Sequence, residues 1–182
     1  MFQLLKKIKM KKLLFAFIIL SVNYGFSQSN NSIFDRKHEI KAGAVKLLAG
    51  PIFEGTYEYI QSKDFTFGSS LLVNFNTENR YFEDFSVTPF ARFYFQESKE
   101  FGARGFFVEG FAKYSTGHDI TYDDIEGPKY SAASIGLSVG KKWINNSGFV
   151  FEPLIGVGRV LGNSDFAPDV SIRWDLFIGY RF

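Results

Sequence analysis

The sequence predicts an all-β fold, an eight-stranded antiparallel up-and-down transmembrane β-barrel. Three observations support this prediction. Apolar and polar residues alternate with a period of two in segment after segment, as they do in strands with one apolar face. No stretch beyond residue 27 shows the sustained 3.6-residue apolar period of an amphipathic helix. The chain also begins with the pattern of a secretory signal.

The N-terminus predicts a cleavable signal peptide. A lysine-rich segment precedes the apolar core LLFAFIILSV, and a short stretch of small and polar residues follows it. This core is short for a membrane-spanning helix of roughly 20 residues. We therefore expect residues 1–27 to be the signal peptide, 28–38 a short periplasmic N-terminal segment, and 39–182 the outer-membrane barrel. An uncleaved N-terminal anchor is the alternative.

The composition argues against several other classes of protein. The chain has no cysteine, which excludes disulfides, thiolate metal sites and cysteine nucleophiles. The net charge of +2 comes from 21 basic and 19 acidic residues, and five of the lysines lie in the predicted signal. Residues 28–182 therefore have 16 basic and 19 acidic residues, a net charge of −3, which gives no support to nucleic-acid binding. We predict no cofactor and no metal.

Eight alternating segments, separated by polar or glycine-containing stretches, are the predicted strands. In order they are residues 39–48, ended by GP; 52–60, ended by QSKD; 65–75, followed by NTENRYFED; 85–95, followed by ESKEFGA; 104–115, followed by TGHDITYDDIEGPK; 130–143, ended by INNS; 149–161, followed by GNSDFAPD; and 170–182. Val45, Lys46 and Leu47 leave the phase of the first strand ambiguous. Pro89 and Pro153 fall inside strands, where each removes a ladder donor, so we expect a bulge or a rim position at each.

The two faces of these strands indicate which side meets lipid. In the last strand Trp174, Ile178 and Phe182 share one face, while Arg173 and Asp175 lie on the other. A soluble barrel would have to bury the many aromatic side chains in its small interior. A membrane barrel turns them to lipid and fills its lumen with small and charged residues, and closure satisfies every backbone group. The pattern therefore favours a membrane barrel over a soluble, lipocalin-like ligand-binding barrel.

The end of the chain and the connections fit the same prediction. An even number of strands puts both termini on one side, and the longer connections then lie mostly on the other, as in outer-membrane barrels. The terminal residues Gly179, Tyr180 and Phe182 resemble the C-terminal signal that the outer-membrane insertion machinery recognises. The predicted partners are therefore outer-membrane lipid and that machinery, and the predicted location is the cell outer membrane.

The alternating stretches resemble those of small eight-stranded outer-membrane barrels. They are HEIKAGAVKLLAGPIFEGTYEYI, VTPFARFYF, FFVEGFAKYS, ASIGLSVGKKW, FEPLIGVGRVLG and WDLFIGYRF. The chain is most similar to a family of such barrels of unknown function, and more broadly to the membrane domain of OmpA-like proteins. The motifs are loose, so the resemblance implies a fold and a location and no particular activity.

Nine charged residues fall on the predicted inner face: Glu54, Glu58, Arg92, Glu109, Lys113, Glu152, Arg173, Asp175 and Arg181. They could form a gated polar path. An eight-stranded barrel is just wide enough for its own side chains, however, and buried charges must be paired. We therefore favour a plug of ion pairs, with Arg92 beside Glu109.

The loops 77–84, 116–129 and 162–169 are the predicted contact regions for a surface partner. Tyr81, Phe82, Tyr122 and Ile125 could form its contact patch, or they could pack onto the barrel mouth. His118, Asp119, Asp123, Asp124 and Glu126 could bind Ca²⁺, but their spacing matches no calcium-binding motif, so a solvated loop is favoured.

Catalysis is not predicted. His38 and His118 are the only histidines, and the predicted topology puts them at opposite ends of the barrel. No serine, histidine and acid set falls on the outer face of neighbouring strands. The predicted function is a structural or interaction role in the outer membrane through the surface loops. A narrow channel for small solutes is the alternative, and a lipid-acting enzyme is favoured less.

Overall fold

The computed structural model describes residues 33, 35–75, 81–95, 102–118, 128–161 and 167–182. The predicted signal peptide lies outside these residues, and so do parts of the segment 28–38 and of all three predicted contact loops.

Eight strands and one short helix make up the described part. The strands are β1 His38–Gly43, β2 Ile52–Ile60, β3 Phe65–Asn74, β4 Glu83–Phe95, β5 Gly105–His118, β6 Lys129–Ile144, β7 Phe149–Leu161 and β8 Val170–Arg181, and the helix α1 is Ala44–Ala49. Each strand pairs antiparallel with the next, and β8 pairs with β1, so the sheet closes. The predicted eight-stranded antiparallel β-barrel fold is confirmed. No helix in the described ranges is long and apolar enough to cross a membrane.

The strands alternate between a buried face and an apolar exposed face. In β6, Ile135, Leu137 and Val139 expose 54%, 64% and 54% of their surface, whereas Ser134 and Ser138 on the opposite face are buried. The same alternation holds along β2, β3, β5 and β8. Because the sheet is closed, the buried face lines the interior, and the exposed face forms an apolar outer surface.

The predicted first strand, residues 39–48, is wrong beyond Gly43. Residues 44–49 form α1 instead. Five of the six residues in their sequence AVKLLA, all except Val45, are strong helix formers, so the segment can form a helical turn. The helical turn buries Lys46 and leaves Leu47 and Leu48 exposed.

The bulge or rim positions predicted at Pro89 and Pro153 are also wrong. The β4–β5 pairs on either side of Pro89, Val87 with Tyr114 and Phe90 with Phe111, keep one register. The β6–β7 pairing likewise keeps its register across Pro153. Proline has no N–H donor, so the hydrogen-bond ladder is interrupted at each position. No extra residue is inserted into either strand, so neither position is a bulge.

Three strands are longer than the sequence predicts. β4 begins at Glu83, so the last two residues of the predicted loop 77–84 belong to a strand. β5 continues to His118, and β6 begins at Lys129, so the strands also take both ends of the predicted loop 116–129. The part of that loop between residues 119 and 127 lies outside the described residues.

The two ends of the barrel differ. We call the end where β1 begins and β8 ends the terminal end, and the opposite end, which carries α1, the loop end. At the terminal end the β6–β7 turn contains Gly148 at φ +98°, a left-handed conformation that glycine adopts without strain. The Asn145 side chain supports this turn by accepting the N–H groups of Ser147 and Phe149.

Residues 102 and 103 close the interior at the terminal end. Ala103 is fully buried in a cluster with Ile60, Tyr94 and Phe107. The Arg181 guanidinium donates to the carbonyl oxygens of Gly102 and Ala103 at 2.8 Å and 3.1 Å. Residues 102 and 103, which precede β5, therefore lie across the base of the barrel.

Candidate functional site: a buried network of charges

Among the residues that the structure describes, the interior of the barrel holds equal numbers of buried acids and bases. Seven are acids: Glu39, Glu54, Glu58, Glu83, Glu109, Glu152 and Asp175. Seven are bases: Lys41, Lys46, Arg92, Lys113, Lys142, Arg173 and Arg181. None of the 14 residues is more than 6% exposed. A buried charge is tolerated only when it is paired. The formal charges of these fourteen residues sum to zero.

Three carboxylates meet at the centre of the network. Oxygens of Glu39, Glu58 and Glu152 lie within 4.8 Å of one another. The Lys142 ammonium lies 2.7 Å, 2.8 Å and 3.5 Å from these three carboxylates. The Lys41 ammonium lies 2.5 Å from Glu58 and 2.9 Å from Glu152. The ammonium groups of Lys41 and Lys142 therefore lie against the three carboxylates and offset two of their three negative charges.

The network continues from this centre to the terminal end. Arg181 Nη2 lies 2.6 Å from Glu39 Oε1. The Tyr94 hydroxyl donates to Glu58 Oε1 at 2.9 Å. Since Arg181 also binds the carbonyl groups of residues 102 and 103, the charges connect directly to the base of the barrel.

Arginines carry the network towards the loop end. Arg92 binds Glu58, Glu152 and Glu109 at 2.7 Å, 2.9 Å and 2.7 Å, so the predicted pair of Arg92 with Glu109 is present. Arg173 then joins Glu109 to Glu54 at 2.9 Å and 3.0 Å.

Two lysines complete the network at the loop end. Lys46 pairs with Glu54 and lies 3.8 Å from Asp175. Lys113 pairs with Glu83. Ion pairs therefore follow one another along the whole length of the described interior.

Aromatic rings fill the space around these charges. The Arg92 guanidinium lies 4.3 Å from the ring centre of Phe90 and 4.5 Å from that of Phe107. Glycines on the neighbouring strands make room, because a Cβ added at Gly136 or Gly140 would meet the ring of Phe111 or Phe107. The described interior is thus packed with side chains, as expected for a barrel of eight strands.

All nine inner-face charges named from the sequence lie in this network. Five members were missed: Glu39, Lys41, Lys46, Glu83 and Lys142. Glu39 and Lys41 alternate with outward Ile40, and Lys142 continues the inward series of Ser138 and Gly140, so the period of two contained the signal for these three. Lys46 was missed because it lies in a helix where a strand was predicted. Glu83 was missed because it was assigned to the loop 77–84.

The C-terminal residues form the closing seam of the barrel. Phe182 exchanges two backbone hydrogen bonds with His38, at 2.8 Å and 3.2 Å, and its ring stacks on the imidazole with centroids 5.8 Å apart. The Tyr180 hydroxyl accepts from Arg36 at 3.2 Å. A Cβ at Gly179 would meet the Ile40 carbonyl oxygen, so the two strands approach closely there. The predicted insertion signal is therefore part of the β1–β8 pairing.

The described aromatic residues of the loops pack against the barrel mouth. Tyr81 and Phe82 are half-buried with ring centres 5.0 Å apart, and the Tyr130 hydroxyl donates to the Phe82 carbonyl oxygen at 3.0 Å. Burial, together with the nearby Glu83 carboxylate, raises the pKa of the Tyr81 phenol above its ordinary range. Tyr122 and Ile125 lie outside the described residues.

The two histidines occupy opposite ends of the barrel. His38 begins β1 at the terminal end, where its Nδ1 lies 2.7 Å from the Tyr57 hydroxyl. His118 ends β5 at the loop end, with Nδ1 3.3 Å from Asp84. The other candidate calcium ligands, Asp119, Asp123, Asp124 and Glu126, lie outside the described residues.

The fold and its interior define a class: an eight-stranded antiparallel β-barrel with an apolar outer surface and a charge-balanced, side-chain-filled interior. A family model described as a protein of unknown function, DUF3575, matches residues 14–167. The chain therefore belongs to the DUF3575 family. No curated protein and no solved structure matches the chain. The predicted similarity to a family of unknown function is confirmed, while the broader OmpA-like resemblance stays a prediction.

Proposed function

We propose that this chain is an outer-membrane β-barrel with a plugged lumen, which has a structural role in the membrane and meets surface partners through its loops. The observation that carries the proposal is the inside-out distribution of side chains. Most outward residues of the strands are apolar, and the buried charged residues lie inside in balanced pairs. This is the arrangement that a closed sheet requires in lipid.

The height of the apolar surface supports this placement. On β6 the outward residues run from Ala133 to Trp143, ten residue steps or ~34 Å along the strand. At the usual tilt of about 40°, this length crosses ~26 Å, which is close to the ~25 Å apolar band of outer-membrane barrels. Aromatic residues border the band at the terminal end, where Trp143 and Phe151 lie 5.7 Å apart.

Besides Arg159 on β7, which lies opposite Ile135, Lys141 is the outward charge of the described strands inside this span. Its ammonium lies 4.5 Å and 4.9 Å from the ring centres of Phe106 and Trp143. It stands three residues before the end of β6, so its long side chain can reach the interface while its methylenes stay in the apolar band. The residue is therefore compatible with a lipid-facing surface.

The orientation follows from the two ends. Outer-membrane barrels have short periplasmic turns, and at the terminal end β6 and β7 are joined by only four residues, 145–148. We place the terminal end in the periplasm, with Gly179, Tyr180 and Phe182 as the signal for the insertion machinery. The loop end then faces outwards, and the loops 77–84, 116–129 and 162–169 present themselves to a partner.

The network of ion pairs supports a plug over a channel. A conducting path needs hydrated and unpaired groups, whereas the charges from Arg181 to Lys46 form pairs through the described interior. Conduction would require several pairs to separate inside a low-dielectric barrel. A structural role without catalysis fits this closed interior and the separation of His38 from His118.

Folding into lipid tests the proposed function. We expect residues 28–182, refolded with detergent micelles or lipid vesicles, to be rich in β-structure by circular dichroism. Unboiled samples should migrate on a gel as a compact band that shifts on boiling. In a planar bilayer the same preparation should show no steady conductance.

Two results would contradict the proposal in different ways. A chain that stays folded and monomeric in water without detergent would show that the apolar face does not meet lipid. A compact, heat-sensitive band together with steady single-channel conductance would support the membrane barrel. It would contradict the plugged lumen and favour the narrow channel.

A further inference from the structure

At the loop end, the strand pairing between β1 and β8 stops before β8 does. β1 pairs with β8 only from Glu39 opposite Arg181 to Gly43 opposite Phe177. β8 continues to Val170 and stays paired with β7 along that length. Within the described ranges, residues 170–176 therefore have no strand partner on the β1 side.

Helix α1 occupies the position where β1 would continue. Its Lys46 reaches β2 through Glu54 and lies 3.8 Å from Asp175 on β8. The Val45 N–H donates to Asp175 Oδ1 at 3.0 Å, and the same oxygen accepts the Leu176 N–H at 2.7 Å. Polar contacts of Val45 and Lys46 thus connect both edges of the gap through the helix.

The helix is a weak substitute for a strand. Six residues of helix extend about 9 Å, whereas the seven unpaired residues of β8 extend about 23 Å. A helix this short is not stable by itself, and no side chain caps its N-terminus. Its position in the wall therefore depends on the contacts of Lys46 and Val45.

The gap separates an apolar surface from the polar interior. Phe53 on β2 and Trp174 on β8 point outwards, with 40% and 38% of their surface exposed. Ser171 points inwards from the unpaired part of β8, and its hydroxyl has no hydrogen-bond partner among the described residues. Moving α1 aside would connect the loop end of the interior to the surface that the proposed function assigns to lipid.

We propose that α1 is a lateral gate, latched by Lys46, through which the polar head of an amphiphile dissolved in the bilayer reaches the loop end of the lumen. The inference rests on the proposed membrane placement. The ligand class follows from the two sides of the opening, since a solute that enters sideways between β2 and β8 must first dissolve in the lipid and then meet the buried charges of Glu54 and Asp175. The plug below it, from Arg92 to Arg181, stays closed to ions.

Single cysteines test the gate cleanly, because the natural chain has none. Ser171→Cys places a thiol beside the gap. Ser138→Cys places a matched thiol on β6, where the serine is also buried and has no hydrogen-bond partner in the described part of the chain. Each is made with and without Lys46→Met and folded into lipid vesicles. A lipid-soluble pyrene maleimide and a charged, water-soluble methanethiosulfonate are the two probes.

We expect the maleimide to label Ser171→Cys at least tenfold faster when Lys46→Met is present, with Ser138→Cys unlabelled in both backgrounds. An unchanged rate at position 171 would overturn the gate. Equal acceleration at both positions would show that Lys46→Met loosens the whole barrel and does not open a gate. Faster reaction with the charged, water-soluble reagent would show that the thiol is reached through the barrel mouth and not from the lipid. Labelling is counted only in the compact unboiled band, so a failure of membrane insertion is seen as a missing band.

Hydrogen exchange on the unsubstituted protein provides a second measurement if Lys46→Met does not fold. The hydrogen-bonded amides of Val45 and Gly50 should exchange at least tenfold faster than the paired amides of the β2–β3 hairpin, although both lie in the same wall. Equal protection of the two segments would show that α1 is a fixed part of the barrel.

Discussion

Replacing Glu58 by glutamine is expected to lower the free energy of unfolding by about 3–5 kcal/mol, because it breaks a buried ion cluster by removing one partner. Glu58 lies 2.5 Å from Lys41, 2.7 Å from Arg92 and 2.8 Å from Lys142. Without its charge, these three cations share only the remaining carboxylates in a low-dielectric interior. Urea unfolding from lipid vesicles, followed by tryptophan fluorescence, measures the change.

The neighbouring residue provides the control for this substitution. Tyr57 points outwards and donates or accepts one exposed hydrogen bond with His38, so Tyr57→Phe should change the stability by less than about 1 kcal/mol. The double variant Glu58→Gln with Lys142→Met should lose less than the sum of the two single changes, since it removes both partners of one pair. A loss below about 0.5 kcal/mol for Glu58→Gln would contradict the dry, paired interior.

Leu137→Arg is expected to destabilise the barrel by about 2–4 kcal/mol in lipid. Leu137 lies at the middle of β6 and is 64% exposed, which places it near the centre of the proposed apolar band. On a water-facing surface, the same substitution would change the stability by about 0.5 kcal/mol or less. The measurement is again the free energy of unfolding from vesicles.

Ser131→Arg is the matched control, because Ser131 lies on the same face of the same strand near the loop end. An arginine close to the interface should cost only about 0–1 kcal/mol. Equal effects at positions 131 and 137 would contradict a lipid band centred on β6.

The alternation of residues made most of the fold predictable from the sequence. In β2 and β7 the predicted bounds and the observed bounds coincide, because polar or glycine-containing turns interrupt the period at both ends. The inward position of Arg92 and Glu109 followed from the same period, and adjacent strands then brought them together.

The remaining features depend on tertiary contacts that no local pattern contains. Lys46 breaks the alternation of β1, and its burial depends on Glu54 and Asp175, which come from two distant strands. The central cluster of Glu39, Glu58 and Glu152 also joins three strands, so its geometry required the closed barrel.

The central claim, that the outer surface meets lipid, is tested most directly by the two tryptophans of the chain. Both point outwards. Trp143 lies at the terminal end of β6, whereas Trp174 aligns through Ile155 with Val139, about 13 Å further along the strands. The measurement is fluorescence quenching by lipids brominated at defined depths, with Trp143→Phe and Trp174→Phe separating the two signals. The account predicts that both are quenched, Trp143 most by bromine near the headgroups and Trp174 most by bromine deeper in the chains. A refolded, β-rich protein whose tryptophans are quenched by aqueous iodide and not by brominated lipid would contradict it.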